Sequence, residues 1–342
     1  MPPTPIAVRC AALLLTSTLA VAAQPVSTPL PDPTAVKPGQ RASSTQARVQ
    51  YPDRVEGLFD LTYATLPGYR PLDLDLFRVP NSTPKPLVVF VHGGGYESGN
   101  RRAVSAVWGD MDKLMAQVAA HGYVVAAISY RLSSEAKFPA QLDDAKTAIR
   151  WLRANAGQYG IDSRRVAIWG ESVGGSLAAL VGTSCGVRDL EGRGPNSDQS
   201  SCVQAVIDWY GATDMSQMDA QAPPNAKLIH NSPDSNQSKV LGCVLHFECP
   251  ASIVNRANPL AYIDASDVNV QFLILHGDSD TAVSYKQSQI LYDALRSVGV
   301  PAQFELLPGV NHNFEHATPE QARHIMDVSY RFLAEALGEN TK

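Results

Sequence analysis

Beyond residue 49, short apolar runs alternate along the chain with segments whose apolar residues recur every three or four positions. The runs at 86–91 and 123–130 are almost continuously apolar, as expected for strands that are buried on both faces of a sheet. The run at 72–78 alternates leucine with aspartate over most of its length, which is typical of an early antiparallel strand. Further strands are predicted at 165–169, 203–209, 270–275 and 303–307.

Helical patterns lie between these predicted strands. The apolar positions of 142–152 recur at helical spacing, and Ser284 with Gln287 and Thr318 with Gln321 have the spacing of capping boxes. This alternation predicts an α/β fold, in which helices cover both faces of a mostly parallel sheet. Ligands bind such sheets at the carboxyl ends of the strands, so functional residues should directly follow the apolar runs.

Two polar stretches, 186–201 and 215–258, interrupt this alternation, and they hold or border four of the five cysteines. Four cysteines allow three pairings. The simplest guess joins sequence neighbours, which pairs Cys185 with Cys202 and Cys243 with Cys249. Metal binding is the alternative, but no CxxC pair or histidine cluster supports it. We therefore expect small disulfide-pinned insertions at the rim of the functional site, and no metal or cofactor.

The first residues differ from the rest of the chain. Arg9 precedes an apolar run with small residues at its end, so residues 1–23 are predicted to be a secretory signal peptide. The fifth cysteine, Cys10, lies in this segment. Residues 24–46 are rich in Pro, Ser, Thr and Gln and predict a disordered leader. Residues 47–342 are expected to form a single folded domain that is located outside the cell or in the periplasm.

Composition narrows the choice of partners. Hydrophobic residues make up 44% of the 342 residues, which is enough for a substantial core. The net charge is −5 and no long basic run is present, so nucleic-acid binding is not expected. The N-terminal apolar run is shorter than the ~20 residues that span a bilayer, so we expect no membrane insertion of the mature protein. The oligomeric state is not predictable from these residues.

The segment Gly170-Glu-Ser-Val-Gly174 lies between a predicted strand and a predicted helix. This is the G-x-S-x-G pattern in its strand–turn–helix context, where a tight turn lifts a serine hydroxyl above the sheet. A glycine-rich turn without chemistry is the alternative. The context identifies Ser172 as the candidate nucleophile.

A serine hydroxyl needs a base, and the base needs an orienting carboxylate. In this fold the chain order is serine, acid, histidine. His312 follows the predicted strand at 303–307 and is the candidate base. Asp278 and Asp280 both follow the strand at 270–275, and the residue further past the strand end, Asp280, is preferred as the acid. Asp278 is expected to form a turn, and His276 to be a structural residue at the strand end.

Acyl transfer also requires donors for a developing oxyanion. The sequence His92-Gly-Gly-Gly95 follows the strand at 86–91 and allows backbone N–H groups to turn inward. We expect the amides of Gly94, Gly95 and Val173 to form the oxyanion hole. The loop lacks the GK[ST] of a phosphate-binding loop and does not begin a helix as a dinucleotide fingerprint does.

Four residues near these motifs are candidates for a substrate pocket. Tyr96 and Glu171 flank the oxyanion loop and the nucleophile, and they either contact substrate or support the loops. Trp209 and Tyr210 follow a central strand, and large aromatics at such places line pockets about as often as they belong to the core.

These motifs together resemble the HGGG-type branch of the α/β-hydrolase superfamily, and most closely the esterases grouped with bifunctional feruloyl and acetyl-xylan esterase domains. The likeness runs from about residue 50 to the C-terminus. The resemblance implies an α/β-hydrolase fold with Ser172, Asp280 and His312 as the triad. At position 173 this chain has valine where the family usually has alanine. The larger side chain narrows the pocket, but the backbone amide that the role requires is retained. Ser284 stands where a proline is common.

The predicted function is a serine carboxylic ester hydrolase that acts on short-chain or aromatic acyl esters. Carbohydrate-linked acetyl or feruloyl esters follow from the resemblance alone. An amidase, arylformamidase-like or peptidase-like hydrolase with the same triad is the alternative, although secretion weighs against an arylformamidase. A non-catalytic binding module is disfavoured because the triad is complete.

Overall fold

A computed structural model describes residues 47–80, 83–264 and 269–338. The predicted signal peptide at 1–23 and the predicted leader at 24–46 both lie outside the described residues. The strands, in chain order, are β1 Arg48–Gln50, β2 Glu56–Ala64, β3 Leu72–Arg78, β4 Lys85–Val91, β5 Val104–Ser105, β6 Gly109–Asp110, β7 Val124–Ile128, β8 Ile161–Glu171, β9 Ala205–Trp209, β10 Gln271–Gly277 and β11 Ala302–Leu307. The α-helices are α1 Met111–Ala120, α2 Ala140–Ala154, α3 Ala156–Tyr159, α4 Val173–Thr183, α5 Met218–Gln221, α6 Asn236–Leu241, α7 Ala251–Arg256, α8 Lys286–Ser297 and α9 Pro319–Leu337.

Within the described residues, nine strands form one sheet in the order β1-β2-β3-β7-β4-β8-β9-β10-β11, and β5 pairs with β6 separately. The pairs β1–β2, β2–β3 and β3–β7 are antiparallel. Every further pair, from β7–β4 to β10–β11, is parallel. The carboxyl ends of the parallel strands therefore meet at one edge, where the predicted functional residues follow them.

The alternation of side chains along the central strands creates a core on each face of the sheet. Leu87, Val89 and Val91 of β4 belong to the core that also contains apolar residues of α2, α4 and α8. Val88 and Phe90 belong to the opposite core, which contains apolar residues of α1 and α9. The predicted three-layer α/β architecture is confirmed, with both faces of the sheet covered.

Two features of the fold differ from the sequence pattern. Buried and exposed side chains do not alternate regularly along β2. The reason is a bulge: the register of β2 with β3 shifts between Leu58 and Leu61, and Asp60 in the bulge has φ 58°. The capping box predicted at Ser284 is wrong, since the Gln287 side chain instead accepts hydrogen bonds from the backbone N–H groups of residues 213 and 214. The capping box of Thr318 with Gln321 is present at the start of α9.

The two insertions, 186–201 and 215–258, pack against different parts of the domain. Among the described residues, disulfides join Cys185 to Cys202 and Cys243 to Cys249, as predicted from sequence neighbours. The first insertion packs on α2, where its Glu191 binds the fully buried Lys146 at 2.8 Å. Only the second insertion lines the cavity at the carboxyl edge of the sheet.

No helix in the described part of the chain is long and apolar enough to cross a membrane.

The Lys146–Glu191 pair predicts a stability difference between two carboxylate deletions. Glu191→Ala leaves a buried ammonium with only the Ser184 carbonyl as partner, so the free energy of unfolding should fall by about 2–3 kcal/mol. The matched control is Glu320→Ala, which breaks a solvent-exposed pair with Arg323 and should lower the free energy of unfolding much less than Glu191→Ala does. Urea unfolding measures both, and equal losses would contradict a structural role for the buried pair.

Candidate active site

The candidate nucleophile lies on a strained turn between β8 and α4. Ser172 has φ 52° and ψ −123°, a backbone conformation that residues other than glycine rarely adopt. Its N–H donates to the Trp209 carbonyl at 2.8 Å. The turn needs glycine on both sides. A Cβ on Gly170 would overlap the carbonyl of Gly174, and a Cβ on Gly174 would overlap the carbonyl of Val91. The G-x-S-x-G spacing therefore follows from the close approach of three backbone segments.

His312 bridges the serine and one of the two candidate carboxylates. Its Nε2 lies 3.0 Å from Ser172 Oγ, and its Nδ1 lies 2.7 Å from Asp280 Oδ2. The other carboxylate oxygen, Oδ1, accepts hydrogen bonds of 2.8 Å from the backbone N–H groups of Ala282 and Val283. Because the carboxylate can only accept, the neutral His312 ring carries its proton on Nδ1. Its Nε2 is then free to accept a proton from the serine hydroxyl.

The environment keeps Asp280 ionised. Burial acts to raise the pKa of Asp280, but hydrogen bonds from His276 and His312 outweigh it and hold that pKa well below its usual range. Asp278 lies elsewhere. It is exposed, and its Oδ1 accepts from the Gly309 N–H at 2.7 Å and from the neighbouring Ser279 hydroxyl, so it ties two loops together. The structure thus brings Asp280, not Asp278, to the histidine.

Three backbone amides beside the serine have no acceptor within the described residues, and they belong to Gly94, Gly95 and Val173. Gly94 and Gly95 have φ values of 103° and 65°, which glycine adopts readily. All three residues line the same cavity as Ser172. This arrangement offers donors to an oxygen atom that gains negative charge next to the serine.

A buried histidine supports the glycine loop. The His92 ring stacks on Tyr130 with a centroid distance of 4.3 Å, and its Nδ1 lies 2.7 Å from the Gly93 carbonyl. Burial lowers the pKa of His92 to about 4, so the ring is neutral at physiological pH. The Tyr130 hydroxyl donates to the His92 carbonyl at 3.0 Å. Sequence reasoning treated His92 only as part of the glycine motif.

The four residues predicted for a substrate pocket do not line the cavity. Trp209 is fully buried among aromatic rings, because as the last residue of β9 its side chain points into the core shared with α1 and α9. Tyr96 is also buried. Glu171 accepts from the Gly93 N–H at 3.3 Å and from the Tyr210 hydroxyl at 3.2 Å. Glu171 and Tyr210 therefore support the glycine loop and, with the Tyr210 ring 5.0 Å from the His312 ring, the histidine.

The cavity itself has a volume of about 550 Å³, and one wall comes from the second insertion. This wall is largely polar and includes Lys227, Ser232, Asn236 and Gln237. The Asn236 side chain packs so closely on the glycine loop that a Cβ on Gly95 would overlap its amide. The polar composition of the insertion was visible in the sequence, but which of its residues face the serine depends on how the insertion folds.

Comparison with known proteins decides the family. The BD-FAE family model matches residues 74–295. The chain belongs to the BD-FAE family. It is 28% identical to esterase LipQ of Mycobacterium tuberculosis over 82% of this chain and 62% of that protein. It is 29% identical to the ethyl acetate hydrolase of Pseudomonas putida over 77% of both proteins. The chain spans about 60% of the length of the mycobacterial relatives LipQ, LipM and LipC.

Two solved structures are similar to this BD-FAE protein. One is a truncated carbohydrate esterase from gut microbiota, with a TM-score of 0.69 and 26% identity over 85% of this chain and 99% of that one. The other is a bifunctional GH43-CE protein of Bacteroides eggerthii, with a TM-score of 0.68 and 30% identity over 84% of this chain and 39% of that one. The α/β-hydrolase fold is therefore confirmed.

The contact between Gly94 and the Ser98 backbone predicts a loss of activity on Gly94→Ala. A Cβ on Gly94 would overlap the Ser98 carbonyl, so the glycine loop must move, and kcat for p-nitrophenyl acetate should fall by ~10²–10³-fold. Gly109→Ala is the matched control, because Gly109 also has a positive φ, of 71°, but has open space where a Cβ would lie, so this variant should keep the kcat of the wild type. Unchanged kcat in Gly94→Ala would contradict this role of the loop.

Proposed function

We propose that this protein is a serine carboxylic ester hydrolase that acts through an acyl-enzyme. The observation that carries the proposal is the continuous hydrogen-bonded chain from Asp280 through His312 to Ser172, next to amides that have no other acceptor in the described residues. Membership of the BD-FAE family and the esterase names of the relatives support it.

The proposed reaction follows from the geometry. Ser172 Oγ attacks the ester carbonyl carbon while its proton passes to His312 Nε2, and the carbonyl oxygen gains negative charge opposite the free amides. The bond between the former carbonyl carbon and the alcohol oxygen then breaks, and the departing alkoxide takes the proton from His312. Water repeats the sequence on the acyl-enzyme and releases the acid and the free serine. The ionised Asp280 stabilises the positive charge that His312 holds between these steps.

Cleavage of an amide is the second candidate, because amidases and peptidases use the same triad. The relatives favour the ester, since each of those compared above carries an esterase or ester hydrolase name. A non-catalytic binding module is opposed by the short contacts that join all three members of the triad.

The substrate class that we propose is a short-chain or aromatic acyl ester, including acetyl or feruloyl esters linked to carbohydrate. A cavity of about 550 Å³ is in the range that accepts drug-sized ligands and exceeds the need of a simple acetate ester. Its polar wall provides hydroxyl, amide and ammonium groups that suit a polyhydroxylated alcohol. Acetylated xylan, methyl ferulate and p-nitrophenyl butyrate, assayed side by side, test this assignment. Hydrolysis of the butyrate alone would support the short-chain acyl ester and oppose the aromatic and carbohydrate-linked esters.

Secretion is proposed from the signal-peptide-like segment at 1–23. The two disulfides among the described residues are compatible with an oxidising compartment. Large esterified polymers are accessible to an enzyme outside the cell.

The central experiment removes the nucleophile and the base. Ser172→Ala and His312→Ala should each lower kcat for p-nitrophenyl acetate by ~10³–10⁶-fold, because both bond-making steps require them. Equal slow hydrolysis by wild type and both variants would overturn the enzyme proposal. Faster cleavage of an anilide than of the matching ester by the wild type would favour the amidase.

The two aspartates predict a second pair of variants. Asp280→Asn should lower kcat by up to ~10⁴-fold, because an amide in this place cannot stabilise the protonated His312. Asp278→Asn should leave kcat within a few-fold of wild type, since Asp278 only joins surface loops. Steady-state kinetics of both variants check this, and a larger effect at Asp278 would contradict the assignment of the acid.

A further inference from the structure

A second histidine contacts the carboxylate of Asp280. His276 lies in β10, and its side chain is fully buried. Its Nε2 lies 3.2 Å from Asp280 Oδ2 and 2.9 Å from the Val283 carbonyl oxygen, while its Nδ1 lies 2.7 Å from Ser288 Oγ in α8. Asp280 Oδ2 is the oxygen that also contacts His312 Nδ1. Two histidines therefore share one carboxylate oxygen.

These partners determine which nitrogen of His276 carries a proton. Nε2 faces two oxygens that can only accept, the Val283 carbonyl and the ionised Asp280, so it must be the donor. Nδ1 faces the Ser288 hydroxyl, which can donate to it. The neutral tautomer with a proton on Nε2 satisfies every group in this buried cluster, whereas the other neutral tautomer would place two lone pairs against each other.

We propose that His276 is a positioning residue for the reaction, which orients the Asp280 carboxylate and limits the negative charge that His312 experiences. This inference rests on the proposed function, since it assigns Asp280 and His312 to the triad. His276 does not line the cavity, so its effect must pass through Asp280.

The orienting role follows from the count of donors among the described residues. Asp280 Oδ1 accepts from two backbone N–H groups in its own loop, and Oδ2 accepts from the two histidines. Without His276, the position of Oδ2 depends on His312 alone. The carboxylate could then rotate together with the His312 ring, and His312 Nε2 would lose its fixed distance from Ser172 Oγ. Hydrogen bonds to charged groups contribute enough for the loss to be measurable.

The charge-limiting role predicts a direction for the change in pH dependence, which a role in packing alone would not predict. The His276 N–H stabilises part of the negative charge on Oδ2. When it is removed, that charge acts more fully on His312 and favours the protonated imidazolium. A protonated His312 cannot accept the serine proton, so activity should disappear at a higher pH than in the wild type.

Three other ionisable groups face this cluster, of which Asp208 and Tyr210 are buried and Glu171 is partly buried. Burial raises the pKa of Asp208, which faces His276, to about 6. Burial and the neighbouring Glu171 raise the pKa of Tyr210, which faces Asp280. Burial also raises the pKa of Glu171, which faces His312. A substitution at His276 leaves Tyr210 and Glu171 unchanged. It removes from Asp208 a neighbour that lowers the Asp208 pKa, so Asp208 becomes more protonated in the variant and adds no negative charge near His312.

The test compares His276→Leu, which removes the donor, with His276→Gln, whose side-chain amide can place an N–H close to the position of Nε2. For p-nitrophenyl acetate, His276→Leu should lower kcat by about 10- to 100-fold, the equivalent of losing one charge-assisted hydrogen bond, with KM nearly unchanged. The acidic limb of its kcat/KM profile should move to higher pH. His276→Gln should restore much of kcat and return the limb toward that of the wild type.

Leu273→Ala separates positioning from stability. Leu273 is a buried residue of the same strand that packs in the opposite direction, so its loss should lower the melting temperature without moving the pH profile. Wild-type kcat and an unmoved acidic limb in His276→Leu would overturn the inference. If that variant does not fold, Ser288→Ala keeps His276 but removes the partner of Nδ1, and it should give a smaller change in the same direction, with no change overturning the inference.

The two hypotheses fail in different ways. A wild type that cleaves no ester, at the level of Ser172→Ala, would overturn the proposed function and with it the role of His276. An active wild type with an unaffected His276→Leu would overturn only the role of His276.

Discussion

The buried negative charge of Asp280 is the constraint on which the carboxyl edge of the sheet depends. An ionised carboxylate inside a protein is unfavourable unless hydrogen bonds compensate for the lost water. Here the compensation comes from the loop after β10, from β10 itself and from the loop after β11, through the amides of Ala282 and Val283 and the rings of His276 and His312. Satisfying this charge therefore brings His312 to the end of β8, where Ser172 lies.

The other half of the site depends on close approach of backbone rather than on charge. Gly174 packs against the end of β4, and Gly95 packs against the amide of Asn236. These contacts leave no space for a Cβ, and they turn toward the cavity the amides that have no acceptor in the described part of the chain. Glu171 joins the two halves, because its carboxylate accepts from the glycine loop and from Tyr210, whose ring contacts His312.

The local parts of this arrangement could be predicted from the sequence. Apolar runs indicated the parallel strands because those strands are buried on both faces. Each of Ser172, Asp280 and His312 lies within a few residues of a predicted strand end, so the topology alone brings them to one edge. The choice of Asp280 over Asp278 followed from its distance past the strand, and the structure brings that residue to His312.

The remaining parts depend on contacts between distant segments, which leave no local pattern. Trp209 was a candidate for the pocket, but the pleat at the end of β9 directs it into the core. The Gln287 side chain binds a loop after β9 rather than capping its own helix. Asn236 faces the glycine loop only because the second insertion folds back over the site. His276 was expected to be structural, and its contact with Asp280 depends on a turn of the loop between them.

The most direct test of the account is covalent trapping of the nucleophile. Diethyl p-nitrophenyl phosphate carries an electrophilic phosphorus atom and a good leaving group, so an activated serine should displace p-nitrophenol and retain the diethyl phosphoryl group. Peptide mass spectrometry of the treated protein should find one adduct per chain, on Ser172, and labelling should slow greatly in His312→Ala. An adduct on another residue, or labelling of Ser172 that does not depend on His312, would contradict the account.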